Sequence, residues 1–374
     1  MSKSRILMLT PGPKYDLEDA FKLRCEKLSE HYRGVVITSS DRYSTATFGE
    51  FKIICLRDPL TKSFISTIGF LFTSIFLLTK AIIVGDRFKL YVTYDPLKTG
   101  IIGALVAPLF RTRLLVEVNG DYMQDIIYSS IPGFYRRHFR KWLMITIEKF
   151  VLDRANGIKC LYSGQVDAFK PFSNNAQVVN FPNYVNCDGF KNLAETNEVL
   201  FAGFPFLIKG VDILIEAFKS VADKHEDWQL RILGYYPDTT ELYSHMDGHP
   251  QISHQPPVDH AQMSEHIGRC GIFVLPSRTE AMGRVLIEAM AAGKPRIGSN
   301  AGGIPITIEH GVDGLLFKKG DVDALAQQLE TLMSDPALRE KLGRNARARY
   351  ESEFTADLYF KSLHEFYSEV LLDK

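Results

Sequence analysis

What the chain lacks narrows its chemistry first. Its 374 residues include five cysteines, Cys25, Cys55, Cys160, Cys187 and Cys270, an odd number, widely spaced and without any C-x-x-C pair. Such spacing fits neither a disulfide framework nor a zinc site, so reduced and mostly buried thiols are expected. The ten histidines show no metal-ligand spacing, and no metal or other cofactor is expected. The amino-terminal apolar run, RILML at 5–9, is too short for a signal-peptide core, so export is not expected and a cytoplasmic protein is. Charge of one sign is also missing, since 44 Lys+Arg face 44 Asp+Glu. That balance argues against a general polyanion binder, and with no recognisable nucleic-acid motif, nucleic acid is not expected as a partner.

The zero is a cancellation. Residues 1–185 carry 25 Lys+Arg against 16 Asp+Glu, and residues 186–374 carry 19 against 28. The basic surplus concentrates at 133–159, where Arg136, Arg137, Arg140, Lys141, Lys149, Arg154 and Lys159 outnumber Glu148 and Asp153. Phe134, Tyr135, Phe139, Trp142 and Leu143 interleave with these charges, a pattern suited to a helix resting on an anionic bilayer. One other segment bears on membranes: SFISTIGFLFTSIFLLT at 63–79 has no charge. Its length is at the lower edge of a transmembrane span, and its serines, threonines and glycine favour a buried or surface-resting helix instead. An anionic membrane surface is therefore an expected partner, with the protein peripheral on the inner face.

The 45% hydrophobic and 24% charged fractions are those of a globular protein, and the length makes two domains the default. Short β-rich runs recur at 5–9, 34–38, 51–56, 90–94, 113–118, 157–162 and 176–181. Segments at 17–31, 64–84, 98–110 and 135–155 lie between them and are long enough for crossover helices. Continuous apolar runs bounded by polar turns predict strands buried on both faces of a parallel α/β sheet. The pattern lapses over 182–197 and restarts with runs at 198–203, 228–234, 272–276, 295–299 and 314–317. Helical spacing follows at 209–224, 284–292, 321–333, 336–350 and 355–372, with Pro336 at a first helical position after Asp335. Three regions result: 1–185, 186–352, and a C-terminal helix, 353–374, that can pack back on the first domain.

The densest chemistry follows the run at 272–276. Glu280 and Glu288 stand eight apart, with Gly283 between them where a helix should open. On that reading Glu280 lies in the loop and Glu288 over a turn inside the helix, so they cannot form a facing catalytic pair. They suit opposite ends of one elongated ligand, with backbone N–H groups of Met282, Gly283 and Arg284 and the helix dipole holding anions between. A nucleotide sugar, hydroxyl-rich at both ends and phosphorylated in the middle, fits. Lys209 falls where the first turn of the 209–224 helix is expected, a place where the dipole disfavours a cation unless function holds it there.

The stretch EAMGRVLIEAMAAGKP at 280–295 resembles the E-x7-E signature of retaining glycosyltransferases of the GT-B fold, family four, also called glycosyl transferases group 1. VLFAGFPFLIKGVDILIEAF at 199–218, AGGIPITIEHGVDGLLF at 301–317 and GDVDALAQQLETLMSDPALREKLGRNARARY at 320–350 stand in the expected order. In the first half the likeness rests on element order and on ITIEKFVLDRANGIKCLYSGQVDAF at 145–169. The resemblance implies a GT-B fold of two facing Rossmann-like domains, with an acceptor-binding first domain, a donor-binding second domain and a cleft between them. It implies that Glu280 accepts hydrogen bonds from donor-sugar hydroxyls beside the Met282 and Gly283 amides, and that Glu288 holds the ribose. Lys209 would neutralise the diphosphate. Val285 and Leu286 would contact the distal phosphate, and Val258, in the segment 255–258, would lie against the base.

Two departures from the family pattern matter. The turn before Lys209 reads Gly203-Phe204-Pro205-Phe206 and lacks the usual arginine, which leaves Arg284, another basic residue or backbone to meet the phosphate charge. In the run VEVNGD at 116–121, where the family often has a histidine after the strand, this chain has Asn119. Asn119 can donate a hydrogen bond to a sugar hydroxyl, and Asp121 can serve as acceptor-activating base. The first loop, at 10–16, has Gly12 alone for close backbone approach to phosphate. Gly302 and Gly303 suit a turn or the shaping of the donor pocket.

The function implied is transfer of a hexose-type sugar from a UDP- or GDP-linked donor to a glycan or lipid-linked acceptor with retention of configuration, in cell-surface polysaccharide or glycolipid synthesis. A sugar-nucleotide epimerase, a glycan phosphorylase, or a non-catalytic nucleotide-sugar-binding partner are the alternatives.

Overall fold

The computed structural model describes residues 3–12, 19–58 and 64–372 and divides into two compact units, Met1–Pro182 with Asp357–Lys374, and Asn183–Ala356. Of the first loop expected at 10–16, residues 13–16 lie outside the described residues, as does Ser63.

The first unit is built on an eight-stranded sheet. Its strands are β1 (Ser4–Leu9), β2 (Tyr32–Ser40), β3 (Ser44–Phe48), β4 (Phe51–Arg57), β5 (Leu90–Thr93), β6 (Arg113–Glu117), β7 (Gly157–Cys160) and β8 (Gln177–Asn180). They lie in the order β3-β4-β2-β1-β5-β6-β7-β8, all parallel except β3, which pairs antiparallel with β4. The expectation of an all-parallel sheet is corrected at that edge. The sequence STATF of β3 has no apolar run and is largely exposed, so nothing in its composition announced a strand. Strands β1, β5, β6 and β7 are buried on both faces, as their continuous aliphatic runs require, and Leu7, Leu9, Val116 and Ile158 share one core with Ile102, Val151 and Leu152.

The C-terminal helix Ala356–Leu372 packs against this first sheet. It buries Tyr359, Phe360, Leu363, Phe366, Tyr367 and Val370, each contributing roughly 1.5–3 kcal/mol of hydrophobic stabilisation. Gly157 permits the approach, because a Cβ there would sit 2.5 Å from Val370 Cγ2 and 2.9 Å from Phe366 Cζ. Buried polar groups fasten the same contact. Arg24 donates to the hydroxyls of Tyr359 at 2.8 Å and Tyr367 at 2.9 Å, and its guanidinium pairs with Glu117 at the end of β6.

The second unit has six parallel strands: β9 (Glu198–Ala202), β10 (Gln229–Leu233), β11 (Ile252–Gln255), β12 (Ile272–Leu275), β13 (Arg296–Ser299) and β14 (Leu315–Phe317). Their order is β11-β10-β9-β12-β13-β14. Strand β11 was not apparent in the sequence, because ISHQ is short and only its first residue is fully buried. In both sheets the chain reverses its direction of growth once, between β1 and β5 in the first and between β9 and β12 in the second. Crevices at the carboxyl ends of strands flanking such a switch point are where open α/β sheets bind ligands.

Candidate functional site

The loops leaving β9 and β12 flank the second switch point, and they carry Lys209 and Glu280. The loop after β9 turns into one short helix, Phe206–Lys209, stopped by Gly210 with φ of +68°, and a second helix, Val211–Ala222, begins there. A Cβ at Gly210 would stand 2.2 Å from the carbonyl oxygen of Pro276, so close packing on the β12 loop requires glycine there. Lys209 therefore ends a helical turn. The expectation that it opens a helix against an unfavourable dipole is corrected: the dipole of its own turn favours a cation.

Lys209 Nζ donates to Glu280 Oε2, and the two side chains are 21% and 12% exposed. Ser277 Oγ donates to the same carboxylate oxygen at 3.3 Å. One loop over, the Gly303 amide donates to the Glu280 carbonyl at 2.9 Å. Gly302, at φ +52°, would bring a Cβ within 2.0 Å of that carbonyl, and a Cβ at Gly303 would meet the Ala281 carbonyl at 2.2 Å. The glycine pair thus lets the loop after β13 lie directly on the backbone of Glu280 and Ala281.

Arg278 locks the two loops together. Its guanidinium makes a bidentate pair with Asp212 at 2.7 and 2.6 Å and also donates to the Leu207 carbonyl at 2.7 Å, while its backbone N–H donates to the Ile208 carbonyl. This pair went unread in the sequence, since its partners are 66 residues apart. Asp212 holds the Arg278 guanidinium, so Arg278 fastens the β12 loop to the short helix that ends in Lys209.

Gly283, at φ +76°, caps the helix Arg284–Ala291 without a side-chain cap. The Leu286 amide donates to the Gly283 carbonyl at 2.9 Å, and the amides of Arg284 and Val285 are the first-turn N–H groups suited to an anion. Met282 and Leu286 are buried, Val285 is half-buried and Arg284 is exposed. Glu288 stands one turn further, and burial pushes its carboxyl above the usual range against the opposing pull of Arg284 and His260. His260 opens the helix His260–Arg269, whose Asp259 forms a capping box with Gln262; Val258 precedes it, half-buried. The second unit thus gathers Lys209 with Glu280, and Glu288 with Arg284 and His260, at the two ends of one short stretch.

In the first unit, Asn119 and Asp121 follow β6. Asn119 Nδ2 donates to the Tyr94 carbonyl at 2.6 Å, so its amide orients the loop after β5. Asp121 accepts from the Met123 amide at 3.2 Å, Gln124 Nε2 at 3.1 Å and Tyr162 Oη at 3.3 Å. Gly12 lies against the end of β2, where a Cβ would overlap the Ser39 carbonyl oxygen at 1.6 Å; chain packing alone demands glycine.

Beside Asp121 is a carboxyl that escaped notice in the sequence. Glu148, on the helix Phe134–Leu152, is buried, and its Oε2 has no hydrogen-bond partner. Its signal was present, because 148 shares helical spacing with the buried Val151 and Leu152 within an otherwise basic stretch. Burial, aided by Asp121, pushes this carboxyl up from 4.5 to about 8. Between about pH 4.5 and about 8 the folded chain holds a proton that the unfolded chain has released, so Glu148 subtracts stability progressively as pH rises through that window. Glu148→Gln is expected to flatten this fall. Urea midpoints of parent and variant at both ends of the window measure it, and an unchanged difference would contradict the assignment.

Among the described residues no three His, Cys, Asp or Glu side chains come together as metal ligands, and all five cysteines are free and buried.

Two Rossmann-like sheets, each with one switch point, are the architecture of the GT-B fold. Residues 189–349 match the family model of glycosyl transferases group 1. It is 30% identical over 170 residues to the capsular polysaccharide biosynthesis glycosyltransferase CapM of Staphylococcus aureus, covering 44% of this chain and 43% of that protein. An uncharacterized glycosyltransferase of Methanocaldococcus jannaschii is 25% identical and is matched over 97% of this chain and 98% of its own length. The chain spans 18% and 43% of the length of two curated relatives it matches. Among solved structures, sucrose-phosphate synthase from Thermosynechococcus elongatus superposes with a TM-score of 0.79 at 20% identity, over 98% of this chain and 99% of that one. Anabaena HepE, solved in complex with UDP-glucose, gives 0.69 at 17% identity over 98% and 99%. These likenesses establish the fold.

Proposed function

We propose that the protein transfers a hexose-type sugar from a UDP- or GDP-linked donor to a glycan or lipid-linked acceptor with retention of configuration, in cell-surface polysaccharide or glycolipid synthesis. The observation that carries this is the Lys209–Glu280 pair at the second switch point, followed within one short helix by Glu288. Glu280 accepts from hydroxyls of the donor sugar beside the Met282 and Gly283 amides. Lys209, joined by the first-turn amides of Arg284 and Val285, meets the charge that grows on the diphosphate as the glycosidic bond breaks. Glu288 takes the ribose hydroxyls, and Val258 lies against the base. Asp121 accepts the proton of the acceptor hydroxyl, and Asn119 orients that hydroxyl. No carboxylate is assigned as a nucleophile, so front-face attack assisted by the leaving phosphate is the mechanism, and no metal is required. HepE with UDP-glucose and CapM in capsule synthesis support the donor and pathway classes.

The acceptor is taken at a membrane surface. No helix among the described residues is long and apolar enough to cross a membrane. Three helices of the first unit nevertheless lie side by side, Phe64–Ile83 against Lys98–Leu109 and that against Phe134–Leu152. They expose Phe72, Phe76, Leu109, Phe134, Phe139 and Trp142, with Arg136, Arg140 and Lys80 exposed on the same helices. Aromatic and basic side chains together suit the headgroup level of an anionic leaflet. Phe139→Ser with Trp142→Ser is expected to abolish sedimentation with phosphatidylserine vesicles, and raised salt to weaken it in the parent; equal sedimentation of parent and variant would contradict the surface. Product anomers read by proton coupling constants test retention, and an inverted linkage would overturn it.

A further inference from the structure

The ladder between β6 and β7 ends at Glu117, which is paired with Lys159, and one further bond runs from the Val118 amide to the Lys159 carbonyl at 2.8 Å. Beyond that point residues 119–124 belong to no helix or strand and are half-buried. Backbone leaving a strand needs other hydrogen-bond partners, and where it finds them sets its course. This loop finds two of them on one side chain. Gln165 Nε2 donates to the Val118 carbonyl at 3.3 Å and to the Gly120 carbonyl at 3.0 Å, the carbonyls of the residues on either side of Asn119.

The other end of the same amide is also used, because Gln165 Oε1 accepts from the Leu161 amide at 2.7 Å. These bonds fix which end is which: turned over, the oxygen would face two carbonyl oxygens and the nitrogen would face an N–H. Gln165 is buried, and the next residue, Val166, lies with Phe169 in the core of the first unit, so the brace stands on packed chain. From the same segment Tyr162 Oη donates to Asp121 Oδ2 at 3.3 Å. Residues 161–165, which follow β7, therefore hold both the backbone around Asn119 and the carboxylate of Asp121. A buried polar group with its partners in place rigidifies what it holds. What this one holds are the two residues of the first unit that carry the acceptor chemistry.

We propose that Gln165 is a positioning residue for sugar transfer, its side-chain amide fixing the loop 118–121 so that Asn119 and Asp121 meet the acceptor hydroxyl in one arrangement. The inference rests on the acceptor roles given to Asn119 and Asp121 above. Gln165 itself touches neither substrate. It acts through the backbone on either side of Asn119, so its loss falls on the transfer step and leaves nucleotide binding by the second unit intact. A displacement of about 1 Å at a reacting group costs roughly 10²-fold in rate.

Two variants of the full chain test this, Gln165→Glu, which keeps the shape but sets a carboxylate against two carbonyl oxygens, and Gln165→Met, which keeps the length and removes every hydrogen bond. Transfer from the UDP- or GDP-linked hexose that the parent uses, to a lipid-linked acceptor extract, is measured beside the calorimetric Kd for UDP and GDP. In both variants kcat is expected to fall by roughly 10²-fold, while the Kd for the nucleotide and the KM for the donor stay within about twofold of the parent. A kcat within about threefold of the parent in both variants overturns the proposal. So does a nucleotide Kd that weakens in step with the rate, since that marks a general loss of structure. Asp121→Asn in the same assay separates the two readings. Parent-like transfer by Asp121→Asn overturns the acceptor assignment on which the inference rests, whereas loss in Asp121→Asn with parent-like rates in both Gln165 variants overturns the role of Gln165 alone.

Discussion

Replacing Glu280 by glutamine is expected to lower kcat/KM for sugar transfer by roughly 10²–10³-fold, the size of effect seen when one oriented polar group is removed from a transition-state site. Glutamine keeps the shape, so Ser277 keeps an acceptor and the Gly302–Gly303 loop keeps its seat on the backbone. What is lost is the charge. Lys209 then has no counter-ion before donor binds, and the donor-sugar hydroxyls meet an amide in place of a strong acceptor. The loss belongs mainly to kcat, because the interaction strengthens as the glycosidic bond breaks. Lys209→Met should cost a similar factor, and the double variant less than the product of the two, since each residue acts through the other. Activity of Glu280→Gln within about threefold of the parent, with an unchanged melting curve, would remove Glu280 from the site.

Glu117→Ala is the second large effect, and it falls on stability. The carboxylate is fully buried, holds Arg24, and accepts from Tyr367 Oη at 3.2 Å. Lys159, also fully buried, is pushed down to about 8 by burial, with Glu117 pulling the other way. Removing one partner of a buried pair leaves an uncompensated charge, at about 3–5 kcal/mol; here two cations face the vacated position. The first unit should therefore unfold at markedly lower urea. Because Arg24 also holds Tyr359 and Tyr367, the C-terminal helix Ala356–Leu372 should lose amide protection first. Exchanging both partners, Arg24→Met with Glu117→Met, should recover much of the loss, as an apolar replacement avoids the stranded charge. Equal urea midpoints for parent and Glu117→Ala would contradict this account of the core.

The parallel strands were legible because burial on both faces writes a continuous aliphatic run, as in Ile6–Leu9 and Ile272–Leu275. Strand β3 was not, because an exposed antiparallel edge needs only alternation, and β11 was not, because its four residues are mostly polar. At the site, Lys209, Glu280 and Glu288 stood out through a motif whose order could be read along the chain. Their mutual geometry could not be read that way. The ion pair between Lys209 and Glu280 joins loops 71 residues apart, and the Arg278–Asp212 clamp joins loops 66 apart. Glu148 shows the same limit: its helical phase marked it as buried, but only the fold brings it to Asp121.

Release of nucleoside diphosphate by the purified, folded protein from a panel of UDP-, GDP- and ADP-linked hexoses, with and without a lipid-linked acceptor extract, tests the central claim most directly. The account predicts release from at least one UDP- or GDP-sugar, dependent on acceptor and lost in Glu280→Gln. Release from no member of the panel, or donor conversion that proceeds equally without acceptor, would contradict it.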